Sequence, residues 1–244
     1  MADIHPGAFK ALIANLKATN VTKTVHSTSY PAISPLRPEL SQAGWTVFIT
    51  DGTGGLGLAI AKSFVAAGAA RVVIVGRRLN SLAAAHQRLE EEAARLSSPS
   101  VIIHRQCDVA ADADVERLWV DAEVGPVHVL VLNTAAFRRE HKSLVDIGYK
   151  VVWSYFETNV EGNIHMTESV LLPTLYICHP ETAPGAFHTG SATDHIGFAA
   201  EDLAFDDTSM PASVAVWLAS REARFLHAAS IWRPGMWRNS RPGS

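Results

Sequence analysis

The sequence is poor in cysteine, in long apolar runs and in clustered positive charge. Cys107 and Cys178 are its only cysteines, and they have no paired spacing, which argues against a disulfide framework or a thiolate metal site and favours a reducing compartment. No apolar run reaches the length that spans a bilayer. Residues 1–17 lack the apolar block of a signal peptide. We therefore expect a cytoplasmic protein without a membrane partner.

Two further classes of partner are disfavoured by the charge and the histidine spacing. The formal net charge is −3, and the 21 Lys and Arg residues form no basic stripe, whereas nucleic-acid-binding domains concentrate positive charge on one face. His179, His188 and His195 have no recurring metal-ligand spacing. We expect neither a nucleic acid nor a metal ion as a ligand.

Residues 1–44 precede the regular part of the chain. An amphipathic stretch, Phe9–Lys17, is followed by an irregular run that contains Pro31, Pro35 and Pro38. Prolines at this spacing exclude a regular helix, so we expect the run to cross the domain surface.

From residue 45 onward, short apolar runs alternate with stretches of helical period, which predicts an α/β fold with a three-layer, doubly wound parallel sheet. The predicted strands are Thr46–Thr50, Val72–Val75, Val101–His104, Val127–Leu132 and one near Ala186–Phe187. The predicted helices are Gly55–Gly68, one capped by Asn80 or Ser81 that runs through Arg95, Ala113–Glu123, Val151–Tyr176 and Ala212–Leu226. We divide the chain into an extension (1–44), a core (45–191) and a shortened C-terminal segment of the same domain (192–244).

A glycine-rich turn follows the first predicted strand directly. It reads Thr-Asp-Gly-Thr-Gly-Gly-Leu-Gly and opens into a helix, which satisfies G-x-G-x-x-G in its strand–turn–helix context. Glycines allow positive φ and a close approach of a pyrophosphate, and the helix N-terminus attracts the phosphates. The turn predicts a Rossmann-type dinucleotide site that contains Thr50, Gly52, Gly54, Gly55, Leu56 and Gly57.

The same run resembles the turn T-G-x-x-x-G-x-G of the short-chain dehydrogenase/reductase family. Thr50, Gly55 and Gly57 match it, and the resemblance extends from about Thr22 to Ser191 and more weakly over the tail. Asp51 stands at the family's first glycine. Two like charges about 4 Å apart repel by about 1 kcal/mol in water and by about 4 kcal/mol at an effective dielectric constant of about 20. We expect Asp51 to weaken cofactor binding unless it points outward.

The end of the second predicted strand favours NADP(H) over NAD(H). NAD-preferring Rossmann proteins place an acid there to bind the ribose 2′-hydroxyl, whereas this chain has Arg77 and Arg78. Their guanidinium groups suit a 2′-phosphate; two exposed surface arginines are the alternative interpretation.

The resemblance implies three more cofactor contacts. Asp108 follows the third strand, where the family has an acid near the adenine, and it would equally serve as the N-cap of the next helix. Asn133 and Ala135 match the family's N-N-A-G after the fourth strand, whereas Thr134 and Ala136 depart from it. Ala136 places a methyl group where the cofactor would pass.

The resemblance also implies a catalytic set of Asn, Ser, Tyr and Lys, in which the lysine lowers the tyrosine pKa because a free phenol, with a pKa of about 10, is a poor base near neutrality. Asn159 and Ser191 match the first two members; a loop serine or cap is the alternative for Ser191. Ala204 and Thr208 stand where the family pattern places Tyr and Lys, and no tyrosine in the chain has a lysine four residues later.

The C-terminal run Pro211–Leu226 resembles the family's last helix, so the segment that would join it to Ser191 and carry the tyrosine is mostly missing. A true internal deletion and a mis-spliced gene model both explain this. We predict an NAD(P)-binding oxidoreductase of small alcohols or carbonyls with impaired catalysis; a non-catalytic nucleotide-binding or oligomerisation protein and a truncated product are the alternatives. Family members commonly pair through the helix predicted at 151–176, which leaves a homo-oligomer open.

Overall fold

A computed structural model describes residues 26–121, 123–136, 143–168, 176–178 and 207–226. Its strands are β1 (Thr46–Thr50), β2 (Arg71–Gly76), β3 (Val101–Gln106), β4 (Val129–Val131) and β5 (Tyr176–Cys178). Its helices are α1 (Gly55–Ala66), α2 (Leu79–Leu96), α3 (Asp112–Trp119), α4 (Leu144–Ile147), α5 (Tyr149–Phe156), α6 (Gly162–Glu168) and α7 (Ser209–Leu218). None of these helices is both long and apolar enough to cross a membrane.

The five strands form one parallel sheet in the order β3-β2-β1-β4-β5. The chain runs from β1 outward to β3 and then returns to place β4 on the other side of β1, so the winding direction reverses between β1 and β4. Ligands of open α/β sheets bind at the carboxyl ends of the strands beside such a reversal. The doubly wound α/β fold is confirmed.

Helices cover both faces of the sheet. On one face, Ile49 of β1 belongs to a buried cluster with Phe64 of α1 and residues of α2 and α7. On the other face, Phe48 belongs to a second cluster with Leu118 of α3 and Met166 of α6. Because both faces are covered, all five residues of β1 are buried and the strand has no polar alternation.

The N-terminal extension packs against α7 as well as crossing the surface. Pro31 and Pro38 each begin a short 3₁₀ turn, and Ile33 and Leu40 of these turns are buried. Two guanidinium nitrogens of Arg37 bind the carboxylate of Glu222, which follows α7. The extension thus fills the edge of the core that α7 would otherwise expose. The stretch Phe9–Lys17 lies outside the described residues.

The boundaries of two helices differ from the sequence-based prediction. The cap predicted at Asn80 or Ser81 is wrong, because the N–H of Leu82 already binds the carbonyl of Arg78 and α2 begins at Leu79. The helix predicted at Ala212–Leu226 is interrupted after Leu218. There the Ser220 hydroxyl binds the Trp217 carbonyl and competes with the helical backbone pattern.

The helix predicted at Val151–Tyr176 is wrong at its C-terminal end. It is α5, a π-helical turn at Glu157–Glu161 and α6, which ends at Glu168, whereas Tyr176–Cys178 is a strand paired with β4. A short apolar run is compatible with a helix or a strand. Here it forms a strand because the edge of β4 is open to pairing. The strand predicted near Ala186–Phe187 lies outside the described residues.

Candidate nucleotide-binding site

The glycine-rich turn connects the end of β1 to the start of α1 with very little space. A Cβ on Gly57 would overlap the carbonyl oxygen of Asp51 and would stand 2.6 Å from Nδ2 of Asn133. Gly55 has a φ of 50°, in the left-handed region that residues with side chains rarely adopt. Glycine therefore meets a steric demand at one position and a backbone demand at the other.

Gly52 and Gly54 serve this turn in different ways. A Cβ on Gly52 would come within 2.6 Å of the side chain of Ile74, so the absence of one lets the turn pack on β2. Gly54 precedes α1 in an extended conformation, no side chain caps the helix there, and nothing lies within 4 Å of the place a Cβ would take. The helix N-terminus is thus open to a ligand, and a dinucleotide pyrophosphate fits this arrangement of N–H groups.

Thr50 is buried, and its hydroxyl connects β1 to the segment after β4 by hydrogen bonds; we call this connection the tie. Its hydroxyl oxygen accepts the N–H groups of Asn133 at 2.8 Å and Thr134 at 3.0 Å and donates to the carbonyl of Val131 at 3.4 Å. The Asn133 side chain also donates to the carbonyl of Asp51 at 3.2 Å. The structure therefore places Thr50 and Asn133 behind the turn, where they fix its position.

A cleft opens beside the turn at the carboxyl ends of β1, β2 and β4. The predicted site residues Arg77, Asp108 and Ala135 line it, together with Asp51. Sequence reasoning did not assign five of the other lining residues to the site, Val75, Gly76, Cys107, Val109 and Thr158, and it named Thr134 and Ala136 only as departures from the family pattern. Most of these directly neighbour the predicted residues, whereas Thr158 belongs to the π-helical turn, which no sequence period indicates. Leu56 instead packs against the buried cluster under α1.

Asp51 stands at the mouth of this cleft as an exposed residue in the left-handed conformation, with a φ of 49°. Desolvation raises the pKa of its carboxyl group, while the charges of Arg77 and Arg78 and a hydrogen bond with Thr53 offset part of the rise. Solvent screens each of these effects because the residue is exposed. The thiol of Cys107, by contrast, is buried, and desolvation raises its pKa to about 12. The thiol is neutral at physiological pH.

Arg77 and Arg78 follow the end of β2, and both are exposed. The Arg77 carbonyl accepts a hydrogen bond of 2.8 Å from the side chain of Gln106, which fixes the backbone beside the cleft. Within the described part of the chain no ion pair involves either guanidinium group. Arg77, which lines the cleft, is therefore available to an anion there.

Asp108 lines the cleft but does not cap the following helix. Its carboxylate accepts the N–H of Ala110 at 3.1 Å, and α3 begins at Asp112 with Ala111 as its N-cap. The N-cap alternative is wrong, because the turn formed by Asp108 delays the helix by three residues. A contact of Asp108 with adenine stays a prediction.

Asn159 lies in the π-helical turn between α5 and α6 and braces the segment after β4. Its Oδ1 accepts the N–H of Ala136 at 2.6 Å, and its Nδ2 donates to the Ala136 carbonyl at 2.7 Å. Single π-helical turns often occur at functional sites, and this one turns the Asn159 side chain toward the cleft segment. Asn159 thus holds Ala136 in place in this structure, and its catalytic role stays a prediction. Ser191 lies outside the described residues, as do His179, His188 and His195.

A larger cavity, of about 560 Å³, lies between α3 and the α5–α6 helices. Its apolar lining residues are Trp153, Phe156, Val160 and Ile164, and its carboxylates are Asp112, Glu116, Glu157, Glu161 and Glu168. Five carboxylates would repel the phosphates of a dinucleotide, whereas the smaller cleft is lined by two carboxylates, Asp51 and Asp108, and by Arg77. The charges therefore make the smaller cleft the candidate site for a dinucleotide. No group of three or more metal-ligating side chains occurs among the residues that were placed.

The sequence matches known proteins over most of its length. The family model of short chain dehydrogenases matches residues 45–176. A short chain dehydrogenase/reductase of Aspergillus novofumigatus is 27% identical over 86% of this chain and 87% of its own. A short chain dehydrogenase/reductase of Claviceps purpurea is 28% identical over 86% and 85%, respectively.

Solved structures show the same fold. A 3-oxoacyl (acyl-carrier-protein) reductase of Agrobacterium tumefaciens with NADP bound has a TM-score of 0.66 and 19% identity, and the match covers 82% of this chain and 97% of that one. A short chain dehydrogenase of Burkholderia cenocepacia in complex with NADP has a TM-score of 0.61 and 18% identity, with coverages of 80% and 98%. With its glycine turn, its parallel sheet and the family match over more than half of its residues, the chain belongs to the short-chain dehydrogenase/reductase family of NAD(P)-binding oxidoreductases.

Proposed function

We propose that this chain binds NADP(H), in preference to NAD(H), in the cleft at the ends of β1 and β2. We further propose that its hydride transfer to or from a small alcohol or carbonyl substrate is much slower than in relatives that have the tyrosine–lysine pair. The observation that carries the proposal is that Asp51 of the glycine-rich turn and Arg77 line one cleft, next to a helix N-terminus that no side chain caps. The bound nicotinamide would supply or accept the hydride.

Each part of the cofactor has a matching group in this arrangement. The N-terminus of α1 binds the pyrophosphate, and Arg77 and Arg78 bind the 2′-phosphate by charge-assisted hydrogen bonds. Asp108, which follows β3 and lines the cleft, lies near the adenine in this arrangement. Thr50 and Asn133 hold the turn in place, and we propose that they also lie within reach of the cofactor.

The slow hydride transfer follows from the residues that the sequence lacks. Reduction of a carbonyl needs a proton donor, and the family's tyrosine is absent because Tyr176 is the last tyrosine and Lys150 the last lysine of the chain. Ser191 alone would polarise a carbonyl but would not transfer the proton. The alignment with the Aspergillus novofumigatus relative runs over 263 positions, more than the 244 residues of this chain, so it contains gaps here and supports a missing segment.

The test is a fluorescence titration of the purified chain with NADPH and NADH, followed by a turnover assay with a panel of ketones and aldehydes. We expect saturable NADPH binding that is tighter than NADH binding, with turnover near the buffer background. Turnover comparable to that of an intact relative would overturn the impairment, and the absence of binding to both cofactors would overturn the function.

A matched pair of arginine variants isolates the cofactor contact. Arg77→Gln should weaken NADPH binding about tenfold and leave NADH binding nearly unchanged, since only NADPH has the 2′-phosphate. Arg88 is also exposed and lies in α2, but it does not line the cleft. Arg88→Gln should therefore change the affinity for neither NADPH nor NADH. Equal effects of the two variants would contradict a specific 2′-phosphate contact.

A second proposal, self-association, concerns the face of α5, the π-helical turn and α6 that lines the larger cavity. Trp153, Phe156, Val160 and Ile164 are exposed there, and contiguous apolar surface of this kind marks interaction sites. The neighbouring carboxylates would repel a second copy, so association should strengthen as salt screens them. Sedimentation velocity at low and high salt measures this. Trp153→Glu should yield monomers, whereas Leu36→Glu, at another exposed apolar residue, should leave the assembly intact; a monomer under all conditions would refute the proposal.

A further inference from the structure

Asp51 departs from the family's glycine and is not used by the proposed cofactor contacts. We propose that Asp51 is a specificity-determining residue that lowers the preference of this chain for a 2′-phosphate over a 2′-hydroxyl. The inference rests on the proposed dinucleotide site and deepens it, because it concerns the same cleft.

The parallel register brings Asp51 beside the two arginines. Thr50 at the end of β1 is paired with Val75 of β2, and the N–H of Gly52 donates to the Val75 carbonyl at 3.2 Å. Asp51 and Arg77 thus leave adjacent strands at the same level and line one cleft. A ligand group that reaches Arg77 meets the carboxylate of Asp51 as well.

The backbone of Asp51 is held in place, which fixes the point from which its carboxylate extends. Its carbonyl accepts a hydrogen bond from Asn133 and is closely packed by Gly57, and its side chain interacts with Thr53. Its left-handed φ of 49° is tolerated by Asp, Asn and Gly better than by other residues. Asn and Gly are consequently the substitutions that should preserve the turn.

The charges around Asp51 determine whether it favours a 2′-phosphate or a 2′-hydroxyl. Arg77 and Arg78 act on it as positive charges, Asp108 adds a second carboxylate to the cleft, and the Cys107 thiol is neutral there. Two carboxylates repel the doubly charged 2′-phosphate, whereas a ribose 2′-hydroxyl can donate a hydrogen bond to either. Asp51 therefore acts against the preference that the arginines create.

The experiment measures two cofactor fragments without nicotinamide, so it does not depend on turnover. Isothermal titration calorimetry of the full chain with adenosine 2′,5′-bisphosphate and with 5′-AMP gives the ratio of the two dissociation constants. Asp51→Asn and Asp51→Gly should each raise the preference for the 2′-phosphate about tenfold, the change that one lost charge repulsion of about 1.4 kcal/mol produces. Glu91→Gln, which removes an exposed carboxylate far along α2, should leave the ratio unchanged.

The pH dependence gives a second readout. The preference of the wild type for the 2′-phosphate, relative to that of Asp51→Asn, should rise as the pH falls and Asp51 becomes protonated; taking the difference removes the ligand's own titration. An unchanged ratio in both variants, or an equal gain for both fragments, would overturn the inference while leaving the dinucleotide site intact. Failure of wild type and all variants to bind either fragment would overturn the site itself.

Discussion

The half of the molecule built on β1–β3 and the half that begins with β4 differ in how their structure is specified. β1, β2 and β3 have five or six residues each and pair along their lengths, with α1 and α2 as regular helices between them. β4 and β5 have three residues each, and a π-helical turn interrupts the helix between them. The first half is specified locally, whereas the second depends on contacts with the first.

The same difference separates binding from chemistry. The first half holds the glycine turn and Arg77, which are the groups that a dinucleotide needs. The second half and the tail would hold the family's catalytic set, of which only Asn159 and Ser191 have counterparts in the sequence. In this chain we therefore expect the cofactor site to be more complete than the catalytic set.

The largest expected effect tests the packing of the first half. Phe64→Ala should lower the free energy of unfolding by about 3–5 kcal/mol, because Phe64 is completely buried between α1 and the sheet. Trp153→Ala is the matched aromatic truncation in the second half; Trp153 is 61% exposed, so it should change stability by no more than about 0.5 kcal/mol. Urea unfolding monitored by circular dichroism measures both, and similar losses would contradict the contrast.

Thr50→Val tests the tie between the two halves. It removes the hydroxyl that accepts the N–H groups of Asn133 and Thr134, and leaving these part-buried donors without a protein partner should cost about 1 kcal/mol. Thr50→Ser keeps the hydroxyl and should lose much less. Hydrogen exchange of the Asn133 amide should accelerate in the valine variant alone; unchanged protection would show that the tie does not hold this segment.

Asn159→Ala tests whether the second half positions the cleft. It removes two hydrogen bonds to Ala136 and should destabilise the protein by about 1–2 kcal/mol, with a weaker affinity for NADPH. Asn163→Ala, four residues later in α6, is the control: it removes a bond to the Asn159 carbonyl but no contact with Ala136. If Asn163→Ala weakened NADPH binding equally, the bracing role would be refuted.

The smallest expected effect is a pH dependence within the first half. Burial lowers the pKa of His104 on β3, and the nearby charges of His86 and Arg105 lower it further. The unfolded chain, with a histidine pKa of about 6.5, then takes up the proton first as the pH falls. Stability should be full above about pH 6.5 and decline as the pH falls through the lowered folded pKa. Urea unfolding between pH 8 and pH 5 should show this slope in the wild type and a shallower one in His104→Gln.

The sequence predicts the first half closely because its signals are local. The apolar run at Thr46–Thr50 and the glycines that follow it predict β1, the turn and α1 as they occur. The second half is predicted less well: Tyr176 is placed in a helix by its sequence period but in β5 by its pairing with Val129. Asp108 matches an N-cap signal, yet the neighbouring Ala110 N–H binds its carboxylate first.

The sequence by itself determined the strand–turn–helix unit, the NAD(P)-binding family and the absence of the tyrosine–lysine pair, since each depends on residue identity at close spacing. Only the tertiary structure decided that Thr50 is a tie behind the turn, that Asn159 braces Ala136, and that Asp51 shares a cleft with Arg77. These relations join residues that are distant in sequence. They exist because parallel pairing brings the carboxyl ends of separate strands to one edge of the sheet.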